Sequence, residues 1–150
     1  MKFICDEMLK GLARWLRAAG YDTEIAGDGE SDRKLIERAR SSGRLLLTRD
    51  GKLLEFRNAA ENVCLLRCTD IDDCAKTLKS SISINWLYKP FSRCLLCNTE
   101  LDSIKNDERI SVPDDVRGSP VLQCAKCKRV YWPGSHVKRM QMKLEYWNNL

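Results

Sequence analysis

The chain has 150 residues, 43% hydrophobic and 31% charged, with 26 Lys and Arg against 21 Asp and Glu for a net charge of +5. That length suits one average domain or two small ones, and the balance excludes a disordered or collagen-like chain. No apolar run approaches the roughly 18 residues needed to cross a bilayer, and Met1 to Asp6 turns charged too soon for a signal peptide, so a cytoplasmic location is expected.

Residues 2–5 (KFIC) read as a short buried strand ending at Asp6. A helix is expected over 7–19. Met8, Leu9, Leu12, Trp15, Leu16 and Ala19 fall on one face, Lys10, Arg14 and Arg17 on another, and Gly20 is the stop. Residues 22–26 read as a second strand. Ser31 or Asp32 then caps a helix to about Arg40, with Leu35, Ile36 and Ala39 inward. Arg44 to Thr48 (RLLLT) is a continuous apolar run of the kind covered on both faces, and Asp50 follows its end. A helix over 52–60, a fourth strand over 62–66 and a helix over 71–79, with Asp70 near its cap, complete the first 80 residues. The alternation argues for an α/β fold: a parallel sheet sandwiched by helices over 1–80. Residues 81–92, with Trp86, Tyr88, Pro90 and Phe91, read as a linker that packs onto something. Residues 93–150 form a second module, with turns at Pro113, Gly118-Ser119-Pro120 and Pro133-Gly134. A helix over 136–147 ends it, with Val137, Met140, Leu144 and Trp147 on one face.

In an open parallel sheet, ligands bind outside the carboxyl ends of the strands. Asp6 and Asp50 follow strands there, Asp32 heads a helix that starts at the same edge, and Asp70, Asp72 and Asp73 lie near it. Crowded carboxylates resist ionising unless a cation neutralises them, and Mg²⁺ or Mn²⁺ takes such oxygen ligands. An ion so held can activate water against a phosphodiester. Lys10, Arg14 and Arg17 begin one turn after Asp6, and Arg49 precedes Asp50. They make a candidate phosphate track, the alternative being a solvated helix face.

Eight cysteines are many for this length, and four of them form two CxxC pairs, Cys94–Cys97 and Cys124–Cys127. Two such knuckles supply the four thiolates of a closed, structural Zn²⁺ site, a staple that a strand-poor segment of this size needs. Cys5 and Cys64 are expected in the core, and Cys68 and Cys74 as spectators. Asn98 suits the left-handed position after a knuckle; Lys128 does not, so the second knuckle is expected to be strained or different. The lone His136 is not needed by the zinc. With Lys128, Arg129, Tyr131, Trp132, Lys138 and Arg139 nearby, it lies on a surface suited to single-stranded nucleic acid; the alternatives are a capping or packing role for His136 and ribbon core for Tyr131 and Trp132.

Four stretches, FICDEMLKGLARWLRAAGYD, RLLLTRD, RCLLCN and CAKCKRVYWPGSH, together resemble the PIN-domain-like ribonuclease family that carries a C-terminal zinc ribbon, the Mut-seven C-terminal RNase family. The resemblance spans about residues 2–145. It implies a PIN-like α/β/α sandwich followed by a zinc ribbon, and metal-dependent cleavage of RNA. The family's metal-binding acids match Asp6, Asp32 (in DRKLI) and Asp50 (in T-x-D). A fourth acid is common in PIN enzymes; Asp28, Asp70, Asp72 and Asp73 are its candidates here. The rival reading is a non-catalytic RNA- or protein-binding adaptor on the same scaffold.

Overall fold

A computed structural model of the protein describes residues 1–57, 59–104 and 112–150. Four short strands, β1 (Lys2–Cys5), β2 (Asp22–Ile25), β3 (Leu45–Thr48) and β4 (Val63–Leu65), form an entirely parallel sheet in the order β2-β1-β3-β4. The chain leaves the central β1 through α1 (Lys10–Ala18) to build β2. It returns past β1 through α2 (Asp32–Ser41) to build β3. Right-handed crossovers in opposite directions put the two helices on opposite faces.

The side chains bear this out. Ile4, Leu46 and Val63 pack with Leu35, Ile36 and Ala39 of α2 and with Leu53 and Ala59. Phe3, Cys5 and Leu47 point the other way, onto Leu12, Ala13 and Leu16 of α1 and onto Ala75 and Leu78 of α3 (Ile71–Ile82). Alternate residues of one strand thus feed two apolar layers, which is why the strands read as unbroken apolar runs.

Local chemistry moves several expected boundaries. The helix expected from residue 7 starts as a tight 3-10 turn over Glu7–Leu9, because the Asp6 carboxylate accepts the Leu9 N–H; α1 proper begins at Lys10. Ser31, not Asp32, caps α2, accepting from the Lys34 N–H. The helix expected over 52–60 is a 3-10 turn, Gly51–Glu55, started by Asp50 and ended where Phe56 turns extended. Asp70 caps α3 as expected. Cys68 and Cys74, expected as spectators, are joined by a disulfide across the start of α3. The first turn of the helix brings Cys74 back beside the end of β4.

The second module has three antiparallel strands, β5 (Leu101–Ile104), β6 (Val121–Cys124) and β7 (Val130–Tyr131), in sequence order. Residues 83–92 do pack. Ile84 and Trp86 are buried, and the Lys89 and Phe91 N–H groups donate to Ala19 and Ala18 at the end of α1. Gly20 has φ +96°, and a Cβ there would collide with the Lys89 backbone, so this approach requires glycine.

The last helix, α4 (Ser135–Asn148), belongs by sequence with the ribbon, yet its apolar side joins the core of the first module. Trp147 packs edge-on to Trp15 at 4.8 Å and against Trp86 at 5.0 Å. Its indole Nε1 donates to Asp72 at 2.6 Å, and Lys143 pairs with the same carboxylate at 3.0 Å. Leu144→Ala should therefore destabilise the whole protein by about 2–5 kcal/mol in urea unfolding. Met142→Ala, on the exposed side of α4, should stay within about 0.5 kcal/mol.

Candidate functional site

The strand order reverses between β1 and β3, and that is where an open α/β sheet has its crevice. Asp6 ends β1 and Asp50 lies two residues beyond β3. Asp6 is buried and its carboxylate is held from both sides. Oδ1 accepts the Leu9 N–H at 3.1 Å; Oδ2 accepts the Thr48 hydroxyl at 2.5 Å and the Arg49 N–H at 3.2 Å. The Thr48 oxygen in turn accepts the Asp50 N–H at 2.9 Å. One fully buried hydroxyl thus links the two acids across neighbouring strands. Asp50 Oδ1 accepts from the Lys52 N–H.

Thr48 is the threonine of the T-x-D motif, and reading that motif for its acid assigns the threonine no role of its own. Its signal is in the sequence: a lone polar side chain closing a run of three leucines, where a buried hydroxyl must find partners.

The other acids are placed differently. Asp32 is exposed in the first turn of α2, with no hydrogen bond to Asp6 or Asp50. Among the described residues, three carboxylates do not close on one point. Of the candidates for a fourth acid, Asp28 is exposed and pairs with Lys10 at 3.6 Å. Asp70 caps α3, and Asp73 accepts the Thr69 N–H. Asp72 is committed to Lys143 and Trp147.

The basic residues divide. Lys10, Arg14 and Arg49 are exposed, as a phosphate track requires. Arg17 is not part of it. It is 5% exposed, and its guanidinium donates to the carbonyls of Thr23 (2.8 Å), Leu95 (3.0 Å) and Leu96 (2.8 Å). Three residues on from Arg14 the helix has turned toward β2, so this cation fastens the first CxxC knuckle to the sheet. Burial lowers its pKa, opposed by the nearby Cys5, Cys94, Cys97 and Asp22. Asn98 completes the fastening: its carbonyl accepts the Thr23 N–H at 2.9 Å and its amide donates to Asp22 at 2.7 Å.

The four knuckle cysteines do converge. The Sγ atoms of Cys94, Cys97, Cys124 and Cys127 all lie within 4.8 Å of one another, and those of Cys94 and Cys127 are 3.7 Å apart. A tetrahedron with Zn–S of roughly 2.3 Å has edges of about 3.8 Å, so the set fits zinc. Both knuckles have one geometry. The Cys97 and Cys127 N–H groups point at the first sulfur of their pair, and Asn98 (φ 65°) and Lys128 (φ 61°) are both left-handed. Lys128 therefore follows the first knuckle's conformation, and the expected difference is limited to the strain of a non-glycine residue there.

Tyr131, expected either on a stacking surface or in the ribbon core, turns its hydroxyl to Cys94 Sγ at 3.1 Å and accepts the Leu95 N–H. Burial raises the Cys94 pKa, but hydrogen bonds from Tyr131 and from the Cys97 and Leu96 backbone outweigh it and bring it down to about 6. Cys94 is thus the readier thiolate, whereas hydrogen bonding with Cys127 and burial push the Cys97 thiol up to about 12. Cys5 behaves as a core residue, its thiol pushed far up by burial and by Asp6.

A family model described as the Mut7-C RNAse domain matches residues 1–144. A human protein named exonuclease mut-7 homolog is 35% identical over 106 residues, covering 66% of this chain and 12% of the human one. The chain thus corresponds to a small part of that relative. No solved structure matches it.

Two outcomes are expected from the knuckle's attachment. Arg17→Ala should cost on the order of 3 kcal/mol in chemical unfolding, since it strands three carbonyls, whereas Arg14→Ala should cost less than about 0.5 kcal/mol. For Asp22, burial raises the pKa, but hydrogen bonds from Arg44 and Asn98 and the charges of Arg44 and Arg93 hold it below the usual carboxylate range. A depressed folded-state pKa gives stability that is present above the unfolded value of about 3.9 and lost as pH falls through the folded one. Asp22→Asn should flatten the stability–pH curve in that acid window, measured by urea titration at successive pH values.

Proposed function

We propose that this chain, which belongs to the Mut7-C RNAse domain family, is a divalent-metal-dependent ribonuclease that hydrolyses RNA phosphodiester bonds at the carboxyl edge of its PIN-like sheet. The observation that carries the reading is the pair Asp6 and Asp50, joined through Thr48 at the switch point between β1 and β3. Each acid also caps the 3-10 turn after its strand, but capping does not call for the link through Thr48 that sets the two carboxylates side by side. The donors are hard carboxylate oxygens, the set that Mg²⁺ or Mn²⁺ takes.

Asp6 and Asp50 would hold the ion, with Asp32 approaching from the start of α2. When bound, a divalent cation supplies a Lewis acid and lowers the pKa of water. The chain's own contribution is orientation. Thr48 and the Arg49 N–H fix one oxygen of Asp6, and the Leu9 N–H fixes the other, so the carboxylate is set before substrate arrives. Lys10, Arg14 and Arg49 meet phosphates at the exposed rim. The zinc ribbon holds no open coordination position, so its part is structural and in gripping RNA.

The test is cleavage of labelled RNA and DNA, single- and double-stranded, with Mn²⁺ or EDTA. RNA should be cut only with the metal, and Asp6→Asn and Asp50→Asn should abolish cutting. RNA affinity should survive or rise in both variants, because a negative charge near the phosphates is gone. If Asp50→Asn cleaves as fast as wild type, the nuclease reading fails, and an RNA-binding adaptor on the same scaffold replaces it.

A further inference from the structure

Three neighbouring cavities lie around the start of α4. One, of about 240 Å³, sits between α1, the first knuckle and α4, with Gly11, Arg14 and His136 in its wall. His136 also lines the second, of about 450 Å³, which Arg129 and Trp132 face. Trp132 is shared again with the third, an apolar pit of about 220 Å³ that Phe91 and Leu122 help to close. Among the described residues no Asp or Glu lines any of the three, in a chain with 21 of them. The cavity beside α2 differs: there Glu37 stands among Arg33, Lys34 and Arg38.

Gly11 adds an independent sign. It sits in the first turns of α1, where glycine costs about 1 kcal/mol relative to alanine. Apart from its chain neighbours and its own helix backbone, nothing among the described residues lies within 4 Å of where its Cβ would be, so internal packing does not call for glycine. The missing side chain leaves the helix backbone open to whatever occupies the cavity, a common use of glycine against ligands.

We propose that single-stranded RNA runs through these cavities, its backbone crossing Gly11 between Arg14 and His136 and one base entering the pit beside Trp132. This rests on the ribonuclease reading for the identity of the polymer. Arginines with no acid beside them among the described residues select a polyanion, and an aromatic-walled apolar pit selects a flat apolar group. Only an unpaired strand offers both, since a duplex hides the faces of its bases. Asp6 leads through the 3-10 turn Glu7–Leu9 into α1, so the track runs from the ribbon along α1 toward the acidic edge.

The experiment is fluorescence anisotropy of zinc-loaded protein with a labelled RNA oligonucleotide, single-stranded or annealed to its complement, without Mg²⁺ or Mn²⁺ so that nothing is cut. Gly11→Glu places an acid in the track at an exposed helical position that has room for a side chain, and an unchanged far-ultraviolet circular dichroism spectrum checks that the variant is folded. It should weaken single-strand binding about tenfold or more, as should Arg129→Glu, each reversing a contact of the kind that dominates such affinities. Lys34→Glu, at the α2 cavity, should leave binding as it is. The annealed duplex should bind more weakly than the single strand. Wild-type affinity in both Gly11→Glu and Arg129→Glu, or equal binding of duplex and single strand, overturns the proposal. The two readings fail separately. Groove-dependent binding without Mn²⁺-dependent cleavage removes the nuclease and leaves the groove; cleavage with groove variants that bind normally removes the groove alone.

Discussion

With β1 in the middle of the sheet, the chain must leave it one way to build β2 and pass back over it to build β3. That reversal sets the rest of the architecture. It sends α1 and α2 to opposite faces and gives the sheet its two apolar layers. It also parts the two crossover loops at the carboxyl ends of β1 and β3. The acids following those strands, Asp6 and Asp50, then come together at one edge of the sheet although 44 positions separate them in sequence. Thr48 turns that proximity into a fixed geometry.

The ribbon is bound into this arrangement and does not hang from it. Arg17 gives its guanidinium to carbonyls of both β2 and the first knuckle, and Asn98 reaches back to Asp22 and Thr23. A buried cation among thiols also suits a zinc–thiolate centre, which carries net negative charge. At the far end of the chain, Trp147 closes onto Trp15, Trp86 and Asp72. The two modules therefore hold one another through α1, which contributes Arg17 to the knuckle and Trp15 to the last helix and leaves Arg14 exposed.

Much of this is legible in the residues. Unbroken apolar runs such as LLL mark strands covered on both faces, and their alternation with amphipathic helices points to the parallel sheet. The CxxC spacing identifies four cysteines that the fold does bring together. Other features escape because they depend on direction in space. Arg14 and Arg17 belong to one basic stripe in sequence, but one faces water and the other a set of carbonyls that exists only once the knuckle has docked. Tyr131 reads as stacking surface or ribbon core, and neither reading gives its hydroxyl a place at the knuckle cysteines. The helix over 136–147 is visible in its period, but nothing in the period says which module covers it; Asp72 and Trp86 do. Asp32 is the acid whose role the family pattern names and whose side chain stands apart from the other two.

The most direct measurement is anomalous diffraction at the manganese edge from crystals soaked in Mn²⁺, with zinc retained in the ribbon. The expected result is a manganese peak between the Asp6 and Asp50 carboxylates, with oxygen distances of about 2.0–2.6 Å and Asp32 turned toward it. Crystals of Asp6→Asn should lack the peak. Saturating Mn²⁺ with no peak at the ends of β1 and β3, or a peak that survives Asp6→Asn unchanged, would contradict a metal-dependent nuclease at this edge.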